Sequence, residues 1–484
     1  MRDMSNKAAE RYTLNDIFTR NYQSWFLVSL VLMILTPIVT FAVNSFTIQN
    51  QFDSSLMIQI LAMSVFPGDY MYEIYRTATL FAILTAAVGL LSYLAAKKKY
   101  SLKTNFADEI PLFFLFLFSV LIAVSVIVNK TDRYNVMGYS TFGEGAMNHI
   151  YYVIIFYFVA SKIKNQIFKN AVIYIFLIID IILSVLEIID ENWHHIHAFA
   201  YNGLAANAIF KNCNFYGYYL TIATMLCAAI FALEKENKVK KWLAFAALLL
   251  NSFMINLCDT FGCFLACVVA FIFLAIAVAV RDKKFPLMCI VGLVVFVGVN
   301  LIAGHWYNDY FANLKTLGGD VGAIAAGGEE AQHAGTDRWN LWTLTWGYIK
   351  EKPWLGWGTR GISKSLGSES INGDDLPHNE YLQYGAYYGL PALFFYVAGL
   401  VGVVIKAVRK RKFLDNATLA CLTAAFGYMS SAFFGNTVDF VAPFFFIFLG
   451  LANVHETDGV IPRPRVDALS LARKFVGRVF LYGI

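Results

Sequence analysis

Charge is what this sequence has least of: Asp, Glu, Lys and Arg together make 15% of its 484 residues, whereas 58% are hydrophobic. That balance excludes an ordinary soluble domain, because a water-soluble core of this size could not hide so much apolar surface, and lipid must be part of the solvent. No cleavable secretory signal is apparent either. Residues 1–24 are polar and mixed in charge, and the apolar run Trp25–Val43 is long enough to span a bilayer and has no small-residue cleavage site. The 7 cysteines show neither a disulfide framework nor a zinc spacing. Cys227, Cys258, Cys263, Cys267, Cys289 and Cys421 fall inside apolar runs, where a thiol behaves as a small hydrophobe, and Cys213 falls near a membrane edge. The net charge of +5 gives no sign of nucleic acid as a partner, because the basic residues have a simpler cause.

What the chain has in abundance is spanning-length apolar runs, at 25–43, 75–96, 111–128, 147–163, 170–189, 214–233, 242–258, 260–280, 286–303, 386–405, 416–434 and 438–454. They predict an all-α polytopic membrane protein of about twelve transmembrane helices. Lysine and arginine cluster in alternate connections: 97–103, 162–169, 235–241, 281–284 and 406–412. The positive-inside bias makes that side the cytoplasm, joined by both termini. The expected organisation is a cytoplasmic N-terminus at 1–24, helices over 25–303, a large extracytoplasmic loop at 304–385, further helices over 386–454, and a basic amphipathic tail at 455–484.

A loop of about eighty residues without structure is improbable, so function is expected there. Residues 318–335 are rich in Gly and Ala and read as a mobile segment. The following TDRWNLWTLTWGYIKEKP predicts a helix that Thr336 or Asp337 caps and Pro353 stops, with Trp339, Trp342, Trp346 and Ile349 on one stripe. Tryptophan favours the headgroup level, so this helix is expected to lie along the outer interface; packing against the spanning helices is the plainer reading. Arg338 stands in its first turn, where a cation opposes the positive end of the macrodipole. A diphosphate would resolve that conflict, and so would an ordinary pair with Asp337. Beyond Pro353, Gly356, Gly358 and Gly361 allow close backbone approach, and Arg360 and Lys364 add positive charge in what reads as a turn. His378 follows Pro377 at the membrane edge, where an imidazole could accept a proton from a hydroxyl.

The stretches RWNLWTLTWGYIKEKPWLGWG and PHNEYLQYGAYYGLPAL resemble the signature of the O-antigen ligase and polymerase superfamily of bacterial glycan-assembly membrane proteins, through Arg338, Trp342, Pro353, Gly356, Gly358, His378, Asn379, Gly385, Gly389 and Leu390. Asn207, Asn212 and Asn214 resemble the asparagine-rich start of a central span in that family. The resemblance implies a glycosyltransferase C-like fold and a metal-independent, inverting glycosyltransferase with no cofactor. Its donor would be an undecaprenyl-diphosphate-linked glycan and its acceptor a glycan or a lipid, at the outer face of the bacterial inner membrane. The product would be a surface polysaccharide such as O-antigen, capsule or exopolysaccharide, with a chain-length regulator and a flippase as partners. It further implies that His378 activates the acceptor hydroxyl and that Arg338 engages the diphosphate, with Arg360, Lys211, Arg76, Asn379, Trp342 and Lys364 as further substrate-binding candidates. The chain departs from the pattern at Cys258–Gly262, where many relatives carry a Ser-Arg pair; Lys211, Arg360 or Arg76 substitutes, or diphosphate recognition differs.

Two rival readings are a ligase acting on a lipid, protein or wall acceptor, and a polysaccharide transporter or flippase. No internal repeat supports the transporter. His194, His195 and His197 beside Asp190 and Glu191 could hold a metal, but an outer membrane edge explains them equally well. Asp180 is a costly charge deep in an apolar run, whereas Arg76, Glu187 and Asp439 lie nearer the outer interface, where headgroups could solvate them.

Overall fold

The computed structural model describes residues 110–129, 145–163, 166–193, 212–371, 376–438 and 441–454, with isolated positions between them. Among these every regular element is a helix and none is a strand. That is what an apolar solvent demands, since each backbone N–H and C=O must find its partner within its own segment. The longer helices are α1 (Ile110–Val128), α2 (Ala146–Lys162), α3 (Gln166–Trp193), α4 (Cys213–Leu233), α5 (Lys238–Leu257), α6 (Phe261–Asp282), α7 (Leu287–Ala303), α8 (Tyr310–Ala326), α9 (Arg338–Glu351), α10 (Gly358–Glu369), α11 (Glu380–Tyr388), α12 (Leu390–Arg409), α13 (Asn416–Ser431) and α14 (Ala442–Leu451).

Among the described residues, 6 helices are long and apolar enough to cross a membrane: α1, α3, α4, α6, α12 and α13. The other expected runs from 147 onward also coincide with helices, shorter or more charged than these. The runs at 25–43 and 75–96, Arg76, the 194–197 histidines, Asn207, Lys211, Asp439 and the tail from 455 lie outside the described residues.

Two helices form the centre. Along α4 nearly every residue from Phe215 to Leu233 is buried, and α13 packs along it, with α5 and α6 beside them. At the periphery, α1 leaves Phe116, Ile127 and Val128 exposed, as a helix whose outer face meets lipid would. Polar caps fix where helices begin: Asn212 accepts from the Asn214 N–H at 2.8 Å, Asn237 from Lys240 at 3.0 Å and Asp415 from Thr418 at 2.7 Å.

Asp180, unexplained by sequence, is wholly buried in α3 and accepts a 2.8 Å bond from Asn251 Nδ2 of α5. Two turns nearer the end of α3, Glu187 is also buried, so headgroup solvation does not account for it. Between them the Ser184 and Tyr216 hydroxyls meet at 3.1 Å. The result is a buried polar line down one side of α3.

The bundle has two chemically distinct ends. One carries Lys235, Lys238, Arg281, Lys283, Lys284 and the 406–412 cluster, stitched together by Arg281 Nη1 to Asn416 Oδ1 at 3.0 Å and by buried Lys406 Nζ to Asn453 Oδ1 at 2.9 Å. The other, called here the loop end, carries the starts of α4, α6 and α12 together with α8 to α11.

Candidate functional site

The loop end is assembled on a seam between backbones. The segment Pro353–Gly358 lies against the junction of α11 and α12, with Trp357 N–H donating to Ala386 O at 2.9 Å and Leu390 N–H to Pro353 O at 2.7 Å. α1 clamps the same segment: Ser125 Oγ donates to Leu355 O at 2.6 Å and Asn129 Nδ2 to Gly356 O at 3.1 Å. The approach is close enough to need glycine. Gly389 has φ +90° and a Cβ there would meet Trp354 O at 2.3 Å; Gly356 has φ +62° and a Cβ would meet Tyr387 O at 2.5 Å.

This seam corrects two sequence expectations. The tenth apolar run, read as one span from 386 to 405, is divided at Gly389 into the short α11 and the spanning α12. The stretch read as a turn with two cations is the helix α10, whose Thr359, Ile362 and Leu366 pack inward. Arg360 and Lys364 stand one turn apart on its opposite, exposed side. The sequence missed this helix because Gly358 and Gly361 are poor helix formers and only the contacts of its inner face hold it.

Arg338 begins α9 as expected and is half-buried. Neither proposed cap operates. Thr336 and Asp337 both adopt left-handed backbone, with φ +55° and +64°, and the Asp337 carboxylate is bonded to His333 Nδ1 at 2.8 Å. Among the described residues no ion pair is made by Arg338. Its charge acts at long range on Tyr218 of α4 and Cys263 of α6. The departure from the family pattern lies at the start of α6. Asp259 holds left-handed backbone there, with φ +51°, and Thr260 precedes α6 without a side-chain cap.

The tryptophan stripe is rotated from the expected one. α9 buries Leu341, Thr345, Tyr348 and Ile349, while Trp342 is half-buried against the core and Trp346 faces outward. The Trp342 Nε1 is enclosed and has no hydrogen-bond partner among the described residues. α9 therefore packs on the bundle, through Leu341, Thr345, Tyr348 and Ile349 more than through its tryptophans.

His378 also takes left-handed backbone, with φ +47°, and is half-buried. That conformation costs a non-glycine residue about 1–2 kcal/mol and persists only where neighbours impose it. The neighbours are explicit. Asn379 is spent as the N-cap of α11, accepting from Leu382 N–H at 3.1 Å, which gives it a structural task beside the substrate role expected of it. Gln383 Oε1 accepts the Thr437 N–H at 2.9 Å, and Tyr381 Oη donates to Met429 O at 2.7 Å.

Sequence reading passed over Glu380. It is fully buried, and its carboxylate takes hydroxyl bonds from Tyr396 of α12 and, at 2.9 Å, from Tyr428 of α13. Burial pushes its carboxyl above the usual range, against the pull of the two tyrosine hydroxyls. The only signal for it in the sequence was a carboxylate opening a tyrosine-rich apolar run. Glu380→Ala strands both hydroxyls in the core and is expected to cost about 2–4 kcal/mol, with Glu380→Gln, which keeps an acceptor oxygen, costing clearly less. Thermal unfolding in detergent measures both; melting of the alanine variant at the wild-type temperature would rule out this clamp.

α9 and α11 pack on each other, with Gly385 of α11 admitting Ile349 of α9. Arg338 and His378 thus begin, or directly precede, two neighbouring helices at one end of the bundle, and Tyr218 feels the charges of both Arg338 and Glu380. Such an arrangement can hold an anion at the arginine and accept a proton at the histidine. Residues 246–397 match the family model for O-antigen ligase. The matched segment holds Arg338, Arg360, Lys364, His378, Asn379 and Glu380, and it supports glycan transfer of the ligase or polymerase type. No curated protein matches the chain.

Proposed function

We propose, from membership of the O-antigen ligase and polymerase superfamily over residues 246–397, that this chain transfers an undecaprenyl-diphosphate-linked saccharide to an acceptor hydroxyl, acting as a surface-polysaccharide polymerase. The observation that supports the reading is that Arg338 opens α9 and His378 precedes α11, two helices that pack on each other, each residue in or just after left-handed backbone. The basic end then faces the cytoplasm of a bacterium and the loop end the outer face of its inner membrane.

The acceptor oxygen attacks the anomeric carbon as the bond from that carbon to the diphosphate oxygen breaks. The hydroxyl proton passes to the His378 imidazole, and the carrier diphosphate leaves with inversion at the sugar. A diphosphate is already an activated leaving group, so the protein mainly has to stabilise charge and position the acceptor. Arg338 provides a charge-assisted fork for the diphosphate. The exposed pair Arg360 and Lys364 would draw anionic donors toward this end. No metal has a role in this scheme.

Polymerase and ligase differ only in acceptor. Purified protein reconstituted with a single lipid-diphosphate-linked repeat unit is expected to give a ladder of products. A single addition, occurring only when a separate lipid, protein or wall acceptor is supplied, would identify a ligase instead.

A further inference from the structure

Of the stretch 318–335, expected to be a mobile segment, residues 318–326 belong instead to the helix α8, which runs to Ala326 and is ended by Gly327 and Gly328 at positive φ. Its composition makes that unexpected. Gly318, Gly319 and Gly322 lie within it, and a Cβ at any of the three would meet nothing within 4 Å, so no packing requirement calls for glycine there. A helix of 17 residues with three interior glycines is not self-supporting in water, and it needs a surface that rewards an ordered apolar face.

Such a face is present and uncovered among the described residues. Leu314, Leu317, Val321 and Ile324 follow one another at steps of three, four and three, with Phe311 on their flank. All but Ile324 are exposed, Val321 at 59%. The opposite side carries Ala312, Thr316, Gly319 and Ala323, and Lys315 stands at the border.

The face continues a surface already read as facing lipid. Val294, Leu301 and Ile302 of α7 are exposed, followed at the turn by Trp306, exposed at 70%, and Tyr307, and then by Phe311 and Leu314. Aromatic residues at this junction match the belt at a membrane interface. The turn is held firmly: Asn308 Nδ2 donates to Asn256 O at 2.7 Å, Asn256 Nδ2 returns a bond to Asn308 O at 3.0 Å, and buried Tyr310 donates to Ile255 O at 2.7 Å. At the far end, Asp320 Oδ2 accepts the Gly335 N–H at 3.1 Å, which ties α8 to the turn that leads into Arg338.

We infer that α8 is an interfacial helix whose Leu314–Leu317–Val321 face is seated in the outer leaflet of the bilayer, with Lys315 reaching its phosphates. This seat sets the height of Arg338 at the headgroup plane. The lipid seat stands on α8 alone; its consequence for Arg338 rests on the proposed function.

The test places a photo-reactive benzoylphenylalanine singly at positions 316, 317, 319 and 321 of the full chain, in vesicles of phosphatidylethanolamine and phosphatidylglycerol. Phospholipid adducts are expected at 317 and 321, at least about tenfold above those at 316 and 319. Equal lipid labelling at all four positions would overturn the seat. So would adducts at 317 and 321 to residues 1–109 or to a second copy of the chain, since either would mean that protein covers the face. The readout is independent of glycan transfer, so failure of the enzymatic reading leaves it standing and its failure leaves that reading standing.

Discussion

Arg338→Ala is expected to lower glycan transfer from a lipid-diphosphate donor by about 10²–10³-fold, the usual cost of removing one preorganised group that stabilises developing charge. Arg338→Lys should recover only part of that loss, because an ammonium keeps the charge but not the planar fork. The variant should fold normally, since no ion pair among the described residues depends on the guanidinium. For the base, His378→Asn is the cleanest substitution: asparagine tolerates the left-handed backbone that His378 occupies at φ +47°, whereas alanine would add strain of its own. Loss of general-base catalysis is expected to cost about 10²–10⁴-fold. The measurement is initial transfer rate in proteoliposomes with a defined repeat unit and a saturating acceptor. Wild-type rates in both Arg338→Ala and His378→Asn would remove these residues from the chemistry and leave the loop end without a site.

Gly389→Ala is expected to be the most damaging small change to the fold. It places a methyl 2.3 Å from Trp354 O and keeps a non-glycine residue at φ +90°. Left-handed strain of about 1–2 kcal/mol adds to an overpacking cost of about 1–3 kcal/mol, so a loss of about 2–5 kcal/mol is expected. Gly356→Ala should behave alike, since its Cβ would meet the carbonyl of Tyr387 from the other side of the seam. Gly347 of α9 serves as the control: a Cβ there meets nothing within 4 Å, and Ala in a helix interior should stabilise by about 0.5–1 kcal/mol. Thermal unfolding in detergent should therefore drop for Gly389→Ala and Gly356→Ala and hold or rise for Gly347→Ala. Equal melting of all three would mean that the seam contributes nothing to stability.

The effect on activity should follow the seam as well. The segment 353–358 links α9, which carries Arg338, to α10, and its glycines let it lie on the turn between α11 and α12. Loosening that contact should separate the arginine from the histidine. Transfer is then expected to fall even in Gly389→Ala protein that remains folded at assay temperature.

Much of the fold was legible in advance because lipid makes secondary structure local. An apolar run in a bilayer must satisfy its own backbone, so the runs at 111–128, 214–233 and 260–280 coincide with helices to within a few residues. The bounds of α9 were legible for a similar reason, with Pro353 stopping it and Arg338 opening it. Where the sequence misled, a non-local partner had decided. Gly318, Gly319 and Gly322 suggested a mobile segment, yet all three lie within the helix α8. Thr336 and Asp337 were plausible caps, yet the turn before α9 sets both in left-handed backbone and spends Asp337 on His333. The short α11 went unread because residues 380–385 precede the apolar run and only its last three join it, and only the close approach of Trp354 to Gly389 divides it from α12.

By itself the sequence determined that the chain is helical, that it belongs in a membrane, and that Arg338 and His378 are the residues to test. Tertiary structure alone decided that Glu380 is clamped between two tyrosines, that Asp337 is spent on His333, and that His378 is held in a conformation it would not choose. The division has one physical cause. A helix in an apolar solvent closes its hydrogen bonds four residues away, within reach of local pattern, whereas the bonds that clamp the loop end join groups as far apart as Ser125 and Leu355.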